Sequence, residues 1–338
     1  MTPAPMKTIH GIQYLRALAA LGVVLFHAAE RTGHHFAIGA AGVDVFFVIS
    51  GFIMWVISDR RPVAPLSFLK ERLRRIAPIY WLATVVMIGG GVAGLFPNLV
   101  LTAEHILASL MFIPARSPSS GEIWPVLVQG WTLNFELFFY VVFAASLILP
   151  RHRRLPMMAA LFLVLVLLGL AIDTENPLLL TYTRPVILEF VAGMIVAEFW
   201  LRGRVVGSRL GIVLFLGALA GFAALAVLRL PFDEKILGPL AVMLVVGTLA
   251  LEADGRFQKW ALPTLLGDAS YSIYLWHTFA ISVVVKGAAM MGLDSVLTLL
   301  CALAAGTLAG VAAYLMLERP LIRRTRSRLP LNRVRQAS

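Results

Sequence analysis

Two ionisable residues, Arg16 and His27, stand inside the apolar run IHGIQYLRALAALGVVLFHA that covers residues 9 to 28. An ionisable group in hydrocarbon costs a few kcal/mol or more, and is tolerated mainly where it faces a polar interior with work to do. Eleven positions separate the two. At roughly 100° and about 1.5 Å per residue they fall about 20° apart around a helix axis and about 16 Å apart along it. They therefore face one interior at two depths, where Arg16 could hold an anion near one membrane surface and His27 could handle a proton deeper in. Taken singly, Arg16 could snorkel to the interface and His27 could be a neutral histidine bonded to neighbouring backbone. Their shared face favours chemistry.

Other polar groups sit at comparable depth in other apolar stretches. Counted from the flanking loops, His27 lies some four residues before a loop and Asp44, in GVDVFFVISGF, some four residues after it. Glu136, in WTLNFELFFY, enters its stretch about five residues from the same side. The expectation is that the three converge, a carboxylate orienting the imidazole and favouring its protonated form, as a general base requires. Arg184 and Glu189, in RPVILEFVAG, begin a further stretch from that side, while His277, in YSIYLWH, lies nearer mid-depth. Structural roles are open to each: Asp44 could cap a helix, Arg184 and Glu189 could pair with one another, and Tyr274 could be core packing. At the opposite side, SFLKERLRRIAPIYW places Lys70, Arg72, Arg74 and Arg75 on a short amphipathic helix broken by Pro78. These cations could serve topology alone, or cradle a polyanion such as the phosphates of a nucleotide cofactor, with Arg16 projecting toward it.

Ten apolar segments must position these groups, near 11–30, 40–58, 78–96, 131–149, 155–172, 185–201, 209–229, 236–252, 269–290 and 296–317. The chain of 338 residues is 59% hydrophobic and 14% charged, with a mean hydropathy of +0.86. That balance excludes a soluble globular domain and predicts an all-α integral membrane protein of about ten transmembrane helices. The stretch 101–114 is too short and broken to span, and reads as an interfacial or re-entrant helix. With both termini cytoplasmic, 22 of the 29 basic residues, Lys7 and Arg61 among them, fall in inside segments and six outside, as the positive-inside rule requires. The first span reads as retained rather than as a cleaved signal. The net charge of +11 is distributed as topology signal, with no surface suited to nucleic acid. The single cysteine, Cys301, provides neither disulfide nor thiolate metal site. No repeat or linker divides residues 1–320, and residues 321–338 form a basic cytoplasmic tail suited to anionic lipids.

At these same residues the chain resembles the membrane acyltransferase 3 family. The resemblance runs through Leu15-Arg16 with His27, Gly42-Val43-Asp44-Val45-Phe46-Phe47 into Ser50-Gly51-Phe52, and Arg75-Ile76-Ala77-Pro78-Ile79-Tyr80. It continues with Trp131-Thr132-Leu133, Glu136 and Phe139-Tyr140, Glu189-Phe190 with Gly193, and Ser270-Tyr271 with Tyr274-Leu275-Trp276-His277. These pieces occur in the family's order over nearly the whole chain. The resemblance implies transfer of an acyl group, usually acetyl from acetyl-CoA, to a carbohydrate hydroxyl in a bacterial inner membrane. Arg16, with Arg72, Arg74, Arg75 and Tyr80, would engage the donor, and His27 with Asp44 and Glu136 would serve the transfer. Trp131, Arg184, Glu189, Tyr274 and His277 would meet the acceptor. Gln13 stands where many members carry Asp, as in the branch acting on exopolysaccharides. The chain ends after its tenth span, so a single-domain mechanism is expected, without the hydrolase-like extension that some members carry.

On this reading cytoplasmic acetyl-CoA is a co-substrate and no cofactor or metal is held permanently. The donor's pantetheine arm would bridge the separation on the order of 16 Å between Arg16 and His27. His27 would act as general base on a glycan hydroxyl or be acylated transiently itself. A transporter with a buried proton or substrate path is the competing function, and a structural scaffold the third.

Overall fold

The computed structural model describes residues 8–60, 63–229 and 233–327. Lys7, Arg61 and residues 328–338, with much of the expected tail, lie outside the described residues. The described residues fold as helices and connecting loops, with no strand among them. In chain order the helices are α1 (His10–Arg31), α2 (Gly42–Arg60), α3 (Pro65–Val92), α4 (Ala103–Leu110) and α5 (Trp131–Ser146). There follow α6 (Arg151–Ala171), α7 (Pro177–Tyr182), α8 (Leu188–Leu201), α9 (Ser208–Val227) and α10 (Glu234–Ala253). The last are α11 (Ala261–Met291), α12 (Ser295–Ala313) and α13 (Arg319–Ser327), with a π turn over Tyr314–Glu318 joining the final two.

Eight of these helices are long and apolar enough to cross a membrane. The two other expected spans, α5 and α8, have only 16 and 14 residues, each entered through a 3-10 turn, Val128–Gly130 and Pro185–Ile187. At about 1.5 Å per residue both fall short of the roughly 30 Å of hydrocarbon. The segment expected to be interfacial holds only the eight-residue α4.

The expected break at Pro78 does not occur. Pro78 lies inside a continuous 28-residue α3, because a helix in apolar surroundings keeps its remaining backbone bonds even where proline removes one. The basic segment and the span that follows it are therefore one rigid element.

Helices α6 and α9 turn Leu163, Val164, Leu167, Val213 and Leu216 outward, the arrangement lipid favours. The centre is aromatic: Phe190 stacks on Phe139 at 4.5 Å and packs on Phe47 at 4.7 Å. Close packing of α2 on α8 depends on two glycines. A methyl group on Gly51 would fall 2.9 Å from Phe190 Cα, and one on Gly193 would fall 2.9 Å from Val48 C and Phe52 N. Helices in lipid gain little by hiding apolar surface from one another, so such backbone approach supplies much of the attraction. At the ends of α2 and α8, Glu198 accepts from Trp55 Nε1 at 2.8 Å and from Arg151, which also pairs with Asp59. This cluster ties α2, α6 and α8 together at the end of the bundle that carries Arg72 and Arg75.

Candidate functional site

A cavity lies between α1, α2, α3, α5 and α11. Its polar end is built from Arg16, Arg72 and Arg75, with Glu136, Tyr140, Ser50 and Ser270 alongside. The Arg16 guanidinium donates to Ser270 Oγ at 2.9 Å and to Gln13 Oε1 at 3.2 Å, and Gln13 in turn donates to Asp268 Oδ1 at 3.0 Å. That network fixes the guanidinium across the α1–α11 interface, so the snorkelling alternative does not apply. Arg72 lies 5.8 Å above the Phe68 ring with its Nε buried and unpartnered. Among the described residues no carboxylate comes within ion-pair distance of any of the three guanidiniums. Three guanidiniums without a carboxylate partner suit an incoming anion.

Ile49, Ile53, Met54, Ile76 and Leu133 give the cavity an apolar wall, and Phe46, Thr132 and Tyr274 also line it. The Tyr274 hydroxyl stands 3.0 Å from Thr132 Oγ1 and 3.1 Å from the Gln129 carbonyl, which joins α11 to the start of α5.

The structure separates the three residues expected to converge. Glu136 accepts from Tyr140 at 2.5 Å and from Ser50 at 3.4 Å, and belongs to the cavity with Arg16. Ser50 is six residues beyond Asp44 on α2, about 9 Å along the helix. The short α5 begins below the expected membrane boundary, so five residues in from its start is already the level of Ser50. Asp44 instead lies against Glu189 of α8, both buried, and neither Glu189 oxygen finds a hydrogen-bond partner. His27 is 30% exposed, with Nδ1 3.6 Å from Glu30 Oε2, and is not among the cavity's walls. No hydrogen bond or ion pair joins it to Asp44 or Glu136 among the described residues. The common interior expected for Arg16 and His27 is thus interrupted: the cavity wall stops at Tyr274, whose ring is 6.2 Å from that of His277, itself 5.2 Å from that of His27.

Other expected site residues divide in the same way. Arg74 and Arg75 are both exposed, but of the α3 arginines only Arg72 and Arg75 line the cavity. Tyr80 is fully buried, donating to the Ser109 carbonyl at 3.1 Å and packing on Phe112, away from the cavity. Arg184 pairs with Glu234, rather than with Glu189, and lies 5.7 Å above Trp131 and 5.6 Å above Phe135. Trp131 and Arg184 therefore hold α5 to the start of α8 and α10.

Sequence reasoning did not single out Glu318. It is 2% exposed in the π turn, accepts from Ser272 Oγ at 2.6 Å, and acts electrostatically on Arg16 and Arg75. Its signal was an acidic residue at the very end of the last apolar segment. A π turn inside a long helix also marks functional positions often. Ser50 and Tyr140 lay inside the quoted motifs, but their bonds to Glu136 needed tertiary placement.

A family model described as an acyltransferase domain matches residues 9–315. The chain is 67% identical over 305 residues to the exopolysaccharide production protein ExoZ of Rhizobium meliloti, covering 90% of this chain and 96% of that one. It is 29% identical to the putative membrane-bound transacylase BcsY of Komagataeibacter xylinus, over 81% of this chain and 73% of that protein. It is 25% identical to the O-acetyltransferase OatA of Staphylococcus aureus, over 93% of this chain and 57% of that protein. No solved structure matches.

Proposed function

Since the chain belongs to the membrane acyltransferase 3 family, we propose that it carries an acetyl group from acetyl-CoA to a hydroxyl of a cell-surface or secreted carbohydrate. The observation that carries this reading is the convergence of Arg16, Arg72 and Arg75, with no ion-pair partner among the described residues, on one cavity that also has an apolar stretch of wall. Three guanidiniums match the phosphates of a nucleotide donor, and the apolar wall matches an uncharged pantetheine arm. The names of the relatives support an exopolysaccharide as acceptor. The loop charges favour an inner membrane with this basic end in the cytoplasm, where acyl-CoA is found.

In the reaction, the phosphates rest on the guanidiniums, and the thioester end reaches His27 when the Tyr274 side chain, which closes the cavity in this structure, swings aside. His27 takes the proton of the acceptor hydroxyl as its oxygen bonds the acyl carbonyl carbon. The carbon–sulfur bond then breaks, and the departing thiolate takes the proton back. Glu136, among the arginines, balances charge at the donor end and has no part at the base. Trp131, Arg184, Glu189 and His277 belong to the half of the molecule that the acceptor approaches.

Purified full-length protein in lipid nanodiscs, given labelled acetyl-CoA and the carbohydrate, is expected to label the carbohydrate, and His27→Ala to abolish labelling while inserting normally. A transporter would move solute without forming labelled product. Substantial turnover by the His27→Ala protein would remove His27 from the chemistry.

A further inference from the structure

The donor cavity leaves His277 unexplained. This residue is completely buried on α11, and its ring centroid lies 5.2 Å from that of His27, with the planes 31° apart. Its Nδ1 is 3.0 Å from the carbonyl oxygen of Ile273, one turn back. A carbonyl only accepts, so the hydrogen sits on Nδ1 and the lone pair on Nε2. That Nε2 is buried and has no hydrogen-bond partner among the described residues. Leaving an acceptor unsatisfied in the interior is costly, and natural structures keep such groups chiefly where they are used. The ring is also held firmly. A methyl group on Gly306 of α12 would fall 3.3 Å from His277 Cβ and 3.1 Å from Val24, so α12 packs closely behind the imidazole with little space to spare.

His27 is arranged as the counterpart. Glu30 Oε2 faces its Nδ1 at 3.6 Å, an ion-pair distance, and a negative charge on that side favours the hydrogen on Nδ1 and the lone pair on Nε2. Two imidazoles side by side, one with its Nδ1 hydrogen committed to a carbonyl and the other with a carboxylate facing its Nδ1, can accommodate one additional proton between them.

We propose that His277 is a positioning residue for His27, and that the two rings act as a pair holding one proton during acyl transfer. The proposal rests on the reading of His27 as the base. As the acceptor's oxygen–hydrogen bond breaks and its oxygen bonds the acyl carbon, the proton goes to His27 Nε2. The unpaired Nε2 of His277 stabilises the imidazolium so formed. When the carbon–sulfur bond breaks, the thiolate takes that proton and both rings return to the neutral state. An imidazolium in apolar surroundings is expensive without such an acceptor, and the buried lone pair of His277 supplies it.

The test separates this role from packing. His277→Asn keeps an amide hydrogen for the Ile273 carbonyl and removes the Nε2 lone pair, while His277→Gln returns an acceptor oxygen near that place. Transfer of labelled acetyl from acetyl-CoA to the carbohydrate by the full chain gives kcat and donor KM for each, and thermal unfolding in detergent reports the fold. The Asn variant is expected to lose at least about tenfold in kcat, on the scale of general-base catalysis, with donor KM and unfolding temperature unchanged. The Gln variant should regain part of the loss. Unchanged kcat in both variants overturns the pair while leaving the acetyl-CoA reading intact. So does a loss of kcat matched by a lower unfolding temperature in both, which assigns His277 to packing. Absence of transfer by the unmutated protein from acetyl-CoA overturns the underlying reading and the pair with it.

Discussion

Arg16 on α1 and Ser270 on α11 are joined by a 2.9 Å hydrogen bond that points the guanidinium into the cavity. The pairing gives an intramembrane arginine a fixed direction without neutralising its charge, because a hydroxyl satisfies one donor and leaves the cation for a ligand. Gln13 holds a second nitrogen from below.

From that arrangement, Ser270→Ala is expected to weaken donor binding by letting the guanidinium wander. A hydrogen bond to a charged group contributes about 1.5–3 kcal/mol, so donor KM should rise by roughly tenfold or more, with a smaller change in kcat. Steady-state kinetics over a range of acetyl-CoA concentrations checks this.

The arginines of α3 should divide by their facing. Arg72→Ala and Arg75→Ala, which remove cavity walls, are expected to raise donor KM severalfold, and added salt should cost the unmutated protein more than either variant. Arg74→Ala, on the same helix but not among the cavity walls, should leave KM unchanged. Equal effects at all three positions would point to a general electrostatic role instead.

Glu136 and His27 should behave as independent sites, since Glu136 bonds to Ser50 and Tyr140 and His27 lies outside the cavity. Glu136→Gln is expected to change donor KM while leaving the pH dependence of kcat in place, whereas His27→Ala removes kcat altogether. A displaced pH profile in the Glu136→Gln protein would restore the convergence expected from sequence.

Gly193→Ala should loosen the α2–α8 contact, because the added methyl would fall 2.9 Å from Val48 C and Phe52 N. Overpacking of this kind costs about 1–3 kcal/mol, seen as an unfolding temperature lower by several degrees in detergent. Gly287→Ala on α11, where a methyl meets nothing within 4 Å, should be neutral or slightly stabilising through the better helix propensity of alanine.

The amino-acid sequence alone determined the membrane class, the helical segments and the family, because hydrocarbon imposes long apolar runs and punishes every charge placed within them. It also singled out Arg16, Glu136 and the α3 arginines, since their cost needed a reason. Which of them meet was decided only by tertiary structure. Depth along a helix is legible when the helix has standard length, and α5, at 16 residues, does not. Its late start carries Glu136 to Ser50 and Arg16, leaving Asp44 with Glu189 and His27 with His277. The direction in which Arg72 and Arg74 point depends on α3 running unbroken through Pro78, a matter of packing that the isolated residue pattern does not encode.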